Sequence, residues 1–548
     1  VTETAMHFTA GNTSDAPRSD LPELLSTLAA DLRGVGYTVD GVAALLGGSA
    51  YAALSRDQLI PALIVTEAAA KGAPDSAALA AVVRLWLLAV PQDTDALDAA
   101  LPGIRTEGLL TLGLVEPAAA GSGAGTVRAK ADLRPYGWEA SAGDDTAGGT
   151  ELWVASDLAA HQQTGVLRHD HVLGIGQAST TLVQTTVRRH VAKALDLGTG
   201  CGIQTFHLLQ HAEHVTATDI SARALAFTRF NLLLNAEALR IDPADPDERV
   251  TLRLGSLLEP VAGEAFDLVV SNPPFVITPR SLGEGAADQF TYRDGGLPGD
   301  DIVASLVRAL PSVLAPAGTA QLLGNWEVAA GAAWSERPQS WAGPEVDAWF
   351  IQREQVGPEQ YAETWLQDAS EGRDRQHYQD AYAAYLDDFA SRDVEGIGFG
   401  MIYLRRPADG ARPVLARFEV ITYPIEQPVG PHLGAAVERG DWLEANDLAA
   451  GHLLVAEDVT EERHQRPGAE HPGVILLRQG AGLRRTNLLS TELAGFVSAC
   501  DGDLSVGQII GALEALLGGG DGFDGGTFRD GLLAEVRNLV RDGFLLPA

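Results

Sequence analysis

Residues 192–202 read AKALDLGTGCG. An apolar run that includes Leu195 and Leu197 stops at Gly198, and glycine recurs at 200 and 202. This pattern predicts a buried strand, a tight turn and the start of a helix. Glycines in such a turn let backbone N–H groups come close to a ligand. The helix that follows offers its positive end to an anionic group. Asp196 leads the motif, and Thr199, Cys201 and Ile203 are interleaved with its glycines. The next strand, HVTATDI (214–220), brings Asp219 and Ile220 to its end. A carboxylate there can accept both ribose hydroxyls of an adenosine. The spacing is D-x-G-x-G-x-G, which differs from the GxGxxG of nicotinamide dinucleotide sites.

The same alternation continues outward. GIQTFHLLQHA (202–212) and ARALAFTRFNLLLNA (222–236) are predicted helices, while VTLRLGSL (250–257) and FDLVVSNPP (266–274) are predicted strands. DDIVASLVRALPSVL (300–314) reads as a helix before the strand TAQLLGNWEV (319–328). A β-α-β-α series implies a doubly wound, Rossmann-like α/β sheet with helices on both faces. Residues 151–428 are assigned to this domain. A helical insertion is expected at about 340–393, charged and rich in Tyr and Trp from Gly357 to Asp393. IGFGMIYLRRP (397–407) and ARFEVITYP (416–424) are expected to form an antiparallel pair closing the sheet edge.

The flanks differ. Residues 1–18 are polar and acidic and are expected to be a disordered leader; they lack the basic and apolar regions of a secretory signal. Residues 19–150 open with helical periodicity and end in GLVEPAAAGSGAGTVRAKADLRPYG (113–137), which reads as strand, loop and strand. Two readings fit: a winged-helix-like α+β domain, or a helical cap with a hairpin. Residues 429–548 give three helices, a loop GGGDGFDGG (518–526) and a terminal strand, a second winged-helix-like unit.

Composition narrows the function classes. The chain has 548 residues, 46% of them hydrophobic and 20% charged, an ordinary globular balance. No apolar stretch is long enough to span a membrane. The formal charge is 39 − 73 = −34, which counts against indiscriminate nucleic-acid binding. Cys201 and Cys500 are the only cysteines, too few for a disulfide framework or a CxxC zinc site, and a reducing cytoplasm fits best. Lysine is confined to Lys71, Lys130 and Lys193 while Arg, Ala and Gly abound, as in a GC-rich bacterial genome, and Val1 fits a GTG start codon.

FDLVVSNPPFVITP (266–279) carries the chemistry. Asn272-Pro273-Pro274-Phe275 follows the fourth strand, at the carboxyl edge where open parallel sheets bind ligands. Prolines fix the backbone and remove N–H donors, so carbonyls face the site. The Asn272 side-chain carbonyl and the Pro273 main-chain carbonyl can hold both hydrogens of a planar –NH₂ group. Phe275 offers a flat face for stacking.

D-x-G-x-G-x-G, the strand-end Asp219 and Asn-Pro-Pro-Phe together resemble class I S-adenosylmethionine (AdoMet) methyltransferases of planar amino groups. That group includes the HemK-like protein-glutamine N5, adenine-N6 and ribosomal-RNA guanine-N2 enzymes, and the resemblance covers about residues 165–425. It implies an AdoMet-dependent N-methyltransferase. Asp196, Gly198, Thr199, Gly200, Gly202, Ile203, Asp219, Ile220, Ser256, Leu257 and Asn272 then fall at cofactor positions. Asn272, Pro273, Pro274 and Phe275 fall at catalytic ones. Many relatives carry an acidic residue where this chain has Ser256.

On substrate the residues divide. YRDGGLPGDD (292–301) resembles the segment following the proline motif in HemK-like enzymes. Phe275 and the Asn325-Trp326 pair lean toward RNA-directed relatives, as do the arginine-bearing stretches 405–417, 463–467 and 478–487. The C-terminal unit also resembles small winged-helix modules that hold leader peptides. The acidity favours a protein or peptide amide over an RNA or DNA base, with a small molecule as the remaining acceptor class. An AdoMet-binding scaffold without turnover is the non-enzymatic alternative. Gln177 and Thr180 are candidate lid residues. His207, His211 and His214 are spaced to share a helical face but lack an HExxH glutamate, and no metal is assigned. The oligomeric state stays open.

Overall fold

The computed structural model describes residues 15–118, 125–138, 149–163, 167–279, 295–368, 375–518 and 524–548. The chain divides into two compact units. The first comprises Val1–Leu182, His190–Gly343 and Gln355–Gly400; the second comprises Val183–Arg189, Pro344–Glu354 and Met401–Ala548.

The strands of the central segment are β1 (Val191–Leu197), β2 (Ala212–Asp219), β3 (Val250–Leu254), β4 (Phe266–Ser271), β5 (Leu314–Ala329), β6 (Asp347–Val356), β7 (Val394–Arg405) and β8 (Ala416–Val420). In the first unit they lie in the order β3-β2-β1-β4-β5-β7. The pairings β2–β3, β1–β2, β1–β4 and β4–β5 are all parallel. Strands covered on both faces need near-continuous apolar runs. Leu268, Val269 and Val270 of β4 supply one, all three buried. The chain order reverses between β1 and β4, and a crevice opens there at the strands' carboxyl ends.

Helix α1 (Ile203–Leu208) follows β1, and all six of its residues are buried. Helix α2 (Ala222–Leu234) follows β2, capped by the Ser221 side chain accepting from Ala224 N. Asn231 of α2 and Asn235, which follows its last residue, each exchange two hydrogen bonds with strand Thr150–Ser156, at Ala155 and Trp153. That strand pairs with Asp132–Trp138. The sequence-based boundary at 150/151 therefore falls within a hairpin that packs on α2. Further upstream, helix Pro74–Trp86, strand Gln92–Asp93, helices Thr94–Ala100 and Arg105–Leu112, and strands Val115–Pro117 and Thr126–Ala129 follow one another. The last strand lies between the other two.

The expected leader reaches into the folded region. Residues 1–14 lie outside the described residues, but Asp15 O accepts from Arg223 Nη2, and Arg18 N donates to Leu112 O.

Between β6 and β7 run helices Pro358–Asp368 and Arg375–Ser391. Tyr361, Tyr385 and Phe389 from them form an apolar core with Ile277 and Ile397. The insertion is helical only in part, because residues 347–356 form β6.

In the second unit, β8 pairs in parallel with β6, Ala348 opposite Ala416. This corrects the expected antiparallel pairing of 397–407 with 416–424. Apolar alternation identified both strands but does not name a strand's partner. Strand His452–Val455 pairs antiparallel with both Asp501–Ser505 and Leu545–Pro547. Helices Thr491–Val497, Val506–Leu517 and Gly525–Asp542 bury Phe496, Ile510 and Val536 in one core with Leu453. Strands Val459–His464, Val474–Gln479 and Thr486–Leu489 form a separate meander.

Candidate active site

Register brings three motifs together. Leu197, the last residue of β1, lies opposite Thr218 of β2 and Ser271 of β4. The glycine turn, Asp219 and Asn272 therefore leave the sheet at one level. A cleft of about 490 Å³ opens there. Gly198, Thr199, Gly200, Ile203, Asp219, Ile220, Ser256, Leu257, Asn272, Pro273 and Pro274 all line it.

Three of the residues expected at cofactor or catalytic positions do not line the cleft: Asp196, Gly202 and Phe275. Asp196 is fully buried. Its Oδ2 accepts from Thr199 Oγ1 at 2.8 Å, Thr205 Oγ1 at 2.7 Å and Thr205 N at 3.0 Å. It ties the turn to the first turn of α1. Gly202, at φ +97, fits between the Phe206 ring and Thr228, and an added Cβ would sit 3.2 Å from that ring. Gly200, at φ +59, faces open space instead, and its amide donates to Asp219 Oδ2 at 3.0 Å.

Burial pushes the Asp196 carboxyl up to about 6, while the hydrogen bonds from Thr205 and Thr199 pull it down. The folded state thus keeps this proton to higher pH than the unfolded chain, whose Asp titrates near 3.8. Relative to an Asp196→Asn variant, the wild type is expected to lose about 2–3 kcal/mol of stability as pH rises from about 4 to about 6. Urea midpoints of both proteins at pH 4 and pH 7 check this, and parallel pH profiles would refute it.

Asp219 accepts from Gly200 N and from Ser221 N, the latter at 2.8 Å. Burial raises its carboxyl above the usual range. Asn272 Oδ1 is buried and has no hydrogen-bond partner among the described residues. A buried carbonyl without a donor is a site waiting for one. Beyond the motif, Ile277 N donates to Tyr361 Oη at 2.8 Å, and Asn325 Nδ2 reaches the same oxygen at 3.2 Å. The inserted helices thereby fix the chain just after the proline pair.

The opposite wall was only approached by sequence. Gln177 and Thr180 do not line the cleft, but their neighbours Gly176, Ala178 and Ser179 do, with His171, Val172, Leu173 and Gly174. The lining falls on Gly174 and Gly176 and on positions next to the two candidates. Asp157 and Arg223, both buried, form a bidentate ion pair behind this wall, and Val172 N donates to Asp157 Oδ2 at 2.8 Å. Gly295 and Gly296 of the DGG segment also line the cleft; residues 292–294 lie outside the described residues. Cys201 lines it too, with its thiol pushed up to about 12 by burial, so it stays protonated and inert.

The histidine spacing does not survive folding. Helix α1 ends at Leu208, so His211 follows it and His214 lies in β2. His207 Nε2 pairs with Tyr136 Oη at 2.7 Å, and His214 with Thr251 and the Glu248 carbonyl.

Comparison with known proteins centres on the same segment. Residues 157–287 match the methyltransferase small domain. Residues 34–130 match a domain of unknown function, DUF7059. A ribosomal protein uL3 glutamine methyltransferase of Bradyrhizobium diazoefficiens is 32% identical over 159 residues, 28% of this chain and 46% of that one. A release factor glutamine methyltransferase of Geobacter sulfurreducens is 30% identical, over 31% of this chain and 56% of its own. A ribosomal RNA small subunit methyltransferase C of Alcanivorax borkumensis is 28% identical, over 33% and 46%. The chain thus spans about half the length of the curated relatives it matches. Among the described residues, no helix is long and apolar enough to cross a membrane.

Proposed function

We propose that this protein is an AdoMet-dependent N-methyltransferase acting on a planar amide nitrogen of the protein or peptide glutamine type. The observation that carries the reading is the buried, partnerless Asn272 Oδ1 at the sheet's reversal point, level with the glycine turn and Asp219.

The residues present fit the cofactor. Gly200 leaves the cleft floor open, Asp219 offers a carboxylate at the end of β2, and Ile220 and Leu257 provide apolar lining. AdoMet, when bound, supplies an electrophilic methyl group on a sulfonium. Asn272 Oδ1 and the Pro273 carbonyl accept the two hydrogens of the substrate –NH₂ and set the direction of its lone pair. Phe275 does not line the cleft, so stacking by its ring is not part of this reading. Orientation does most of the work, because the methyl group is already activated. The amide proton leaves after attack, and no strong base is required. Asp219→Ala is expected to weaken AdoMet binding by about 1–3 kcal/mol through loss of charge-assisted hydrogen bonds. Calorimetric titration with AdoMet checks it; an unchanged dissociation constant would remove Asp219 from the site.

Relatives named for glutamine methylation of ribosomal protein uL3 and release factors support the amide. The small-subunit rRNA enzyme supports a base as the second reading. Arginine pairing leans toward the amide at five of the nine arginines in the three basic stretches. Arg405, Arg417, Arg463, Arg478 and Arg485, from all three basic stretches, each have a carboxylate within 3.0 Å. Cations already neutralised release no counterions on meeting phosphates.

The flanking modules are read as winged-helix-like docking domains in the cytoplasm. Upstream, the helix-strand-helix-helix-strand-strand order, with the last strand central, supports this. Downstream, His452–Val455 takes the central place although it precedes the helices. The test is label transfer: methyl-labelled AdoMet, the pure protein, and extract from cells lacking it. Label released by protease supports the amide; label released only by nuclease favours the base; AdoMet binding with no label transferred means a scaffold.

A further inference from the structure

The second unit holds a separate cavity of about 560 Å³. Its apolar wall includes Trp349, Leu454, Leu483 and Leu546. Its arginines divide into two sets. Arg485 forks onto Glu419 with both contacts at 2.7 Å, and Trp349 Nε1 donates to the same carboxylate at 2.7 Å. Arg417 bridges Glu419 and Asp542 at 3.0 and 2.8 Å. Those charges are spent on one another.

Arg439 and Arg541 also line the cavity. Arg439, on helix Gly430–Ala445, makes no hydrogen bond or ion pair among the described residues, and its Nε is buried without a partner. It is held closely: a Cβ added at Gly543 would lie 2.7 Å from Arg439 Nη2. Arg541 reaches only the neutral Asn538 Oδ1, at 3.4 Å. Arg439 is half-buried with its Nε enclosed, and such a guanidinium is costly where no carboxylate hydrogen-bonds to it; Asp542 and Glu438 act on it only through space. Burial accordingly lowers the Arg439 pKa from its ordinary value. In a chain of net charge −34, two unpaired arginines facing one cavity are a local exception.

We infer that this cavity binds a carboxylate-bearing ligand, with Arg439 as its anchor and Trp349, Leu454, Leu483 and Leu546 against its apolar part. A carboxylate suits the site better than a phosphate. Glu457, Asp458 and Asp542 also line the cavity and repel a dianion more strongly than a monoanion. The inference is independent of methyl transfer.

The test uses the full chain and reads melting temperature and calorimetric titration. The probes are hexanoate, a short peptide alternating leucine and glutamate, the same peptide with glutamine, and inorganic phosphate. Binding of hexanoate alone assigns a small carboxylate; binding of the glutamate peptide assigns an acidic peptide segment. Either must weaken at least tenfold in Arg439→Met and recover in part in Arg439→Lys. Without ligand, Arg439→Met should melt no lower than the wild type, because it removes a partly buried charge whose burial outweighs the attraction of Asp542 and Glu438. Equal binding of the glutamine peptide, tighter binding of phosphate, no binding of either carboxylate at millimolar concentration, or a melting temperature several degrees lower in ligand-free Arg439→Met would each overturn the inference.

Discussion

Asn272→Ala is expected to lower the rate of methyl transfer by about 10²–10³-fold, the loss seen when one preorganised polar group is removed from a reacting centre. AdoMet affinity should stay within a few-fold, because the glycine turn and Asp219 do not depend on this side chain. Asn272 Oδ1 is buried with no donor among the described residues, and on the proposed reading a substrate N–H is the partner it would gain. On that reading, deletion would leave one N–H of the substrate without an acceptor in the cleft that Pro273 and Pro274 line. Single-turnover transfer and a binding titration on the same preparation separate the two effects. Retained turnover would take Asn272 out of the reaction.

Asp157→Ala should cost about 3–5 kcal/mol of stability, the range for breaking a buried ion pair by removing one partner. Arg223 would keep its charge in a place where only 8% of the residue is exposed, against 9% for Asp157. The Val172 amide would lose its acceptor as well. Because Val172 lines the cleft, AdoMet binding should weaken together with stability. The double variant Asp157→Leu/Arg223→Met should recover much of the loss, since no lone charge remains. Urea midpoints of the three variants decide; a single variant within about 1 kcal/mol of wild type would show that the pair adds little.

The central sheet was legible because β1 and β4 end their apolar stretches at the glycine turn and at Asn272, and the order of those ends along the chain fixed the crevice. Other features lay beyond periodicity. Asp196 sits in the motif but is buried, with three donors from Thr199 and Thr205 on its Oδ2 and none among the described residues on its Oδ1. The spacing of His207, His211 and His214 is helical, yet the helix stops at Leu208. The pairing of β8 with β6 and the placing of His452–Val455 between two later strands are long-range choices, which local pattern does not encode. Asp157 and Arg223, 66 residues apart, carried no sequence signal at all.

That placing of His452–Val455 bears on how the second unit assembles. Leu454 pairs with Leu546 across the strands and with Asp501 on its other side. The middle strand is thus made first, and both neighbours arrive only after roughly half or all of the module has left the ribosome. Loop-closure entropy must be overcome before those contacts form, which places this sheet among high-contact-order, slow-folding structures. Until it closes, the backbone of His452–Val455 is an unpaired edge on both sides and the place where a nascent chain is most exposed to wrong partners.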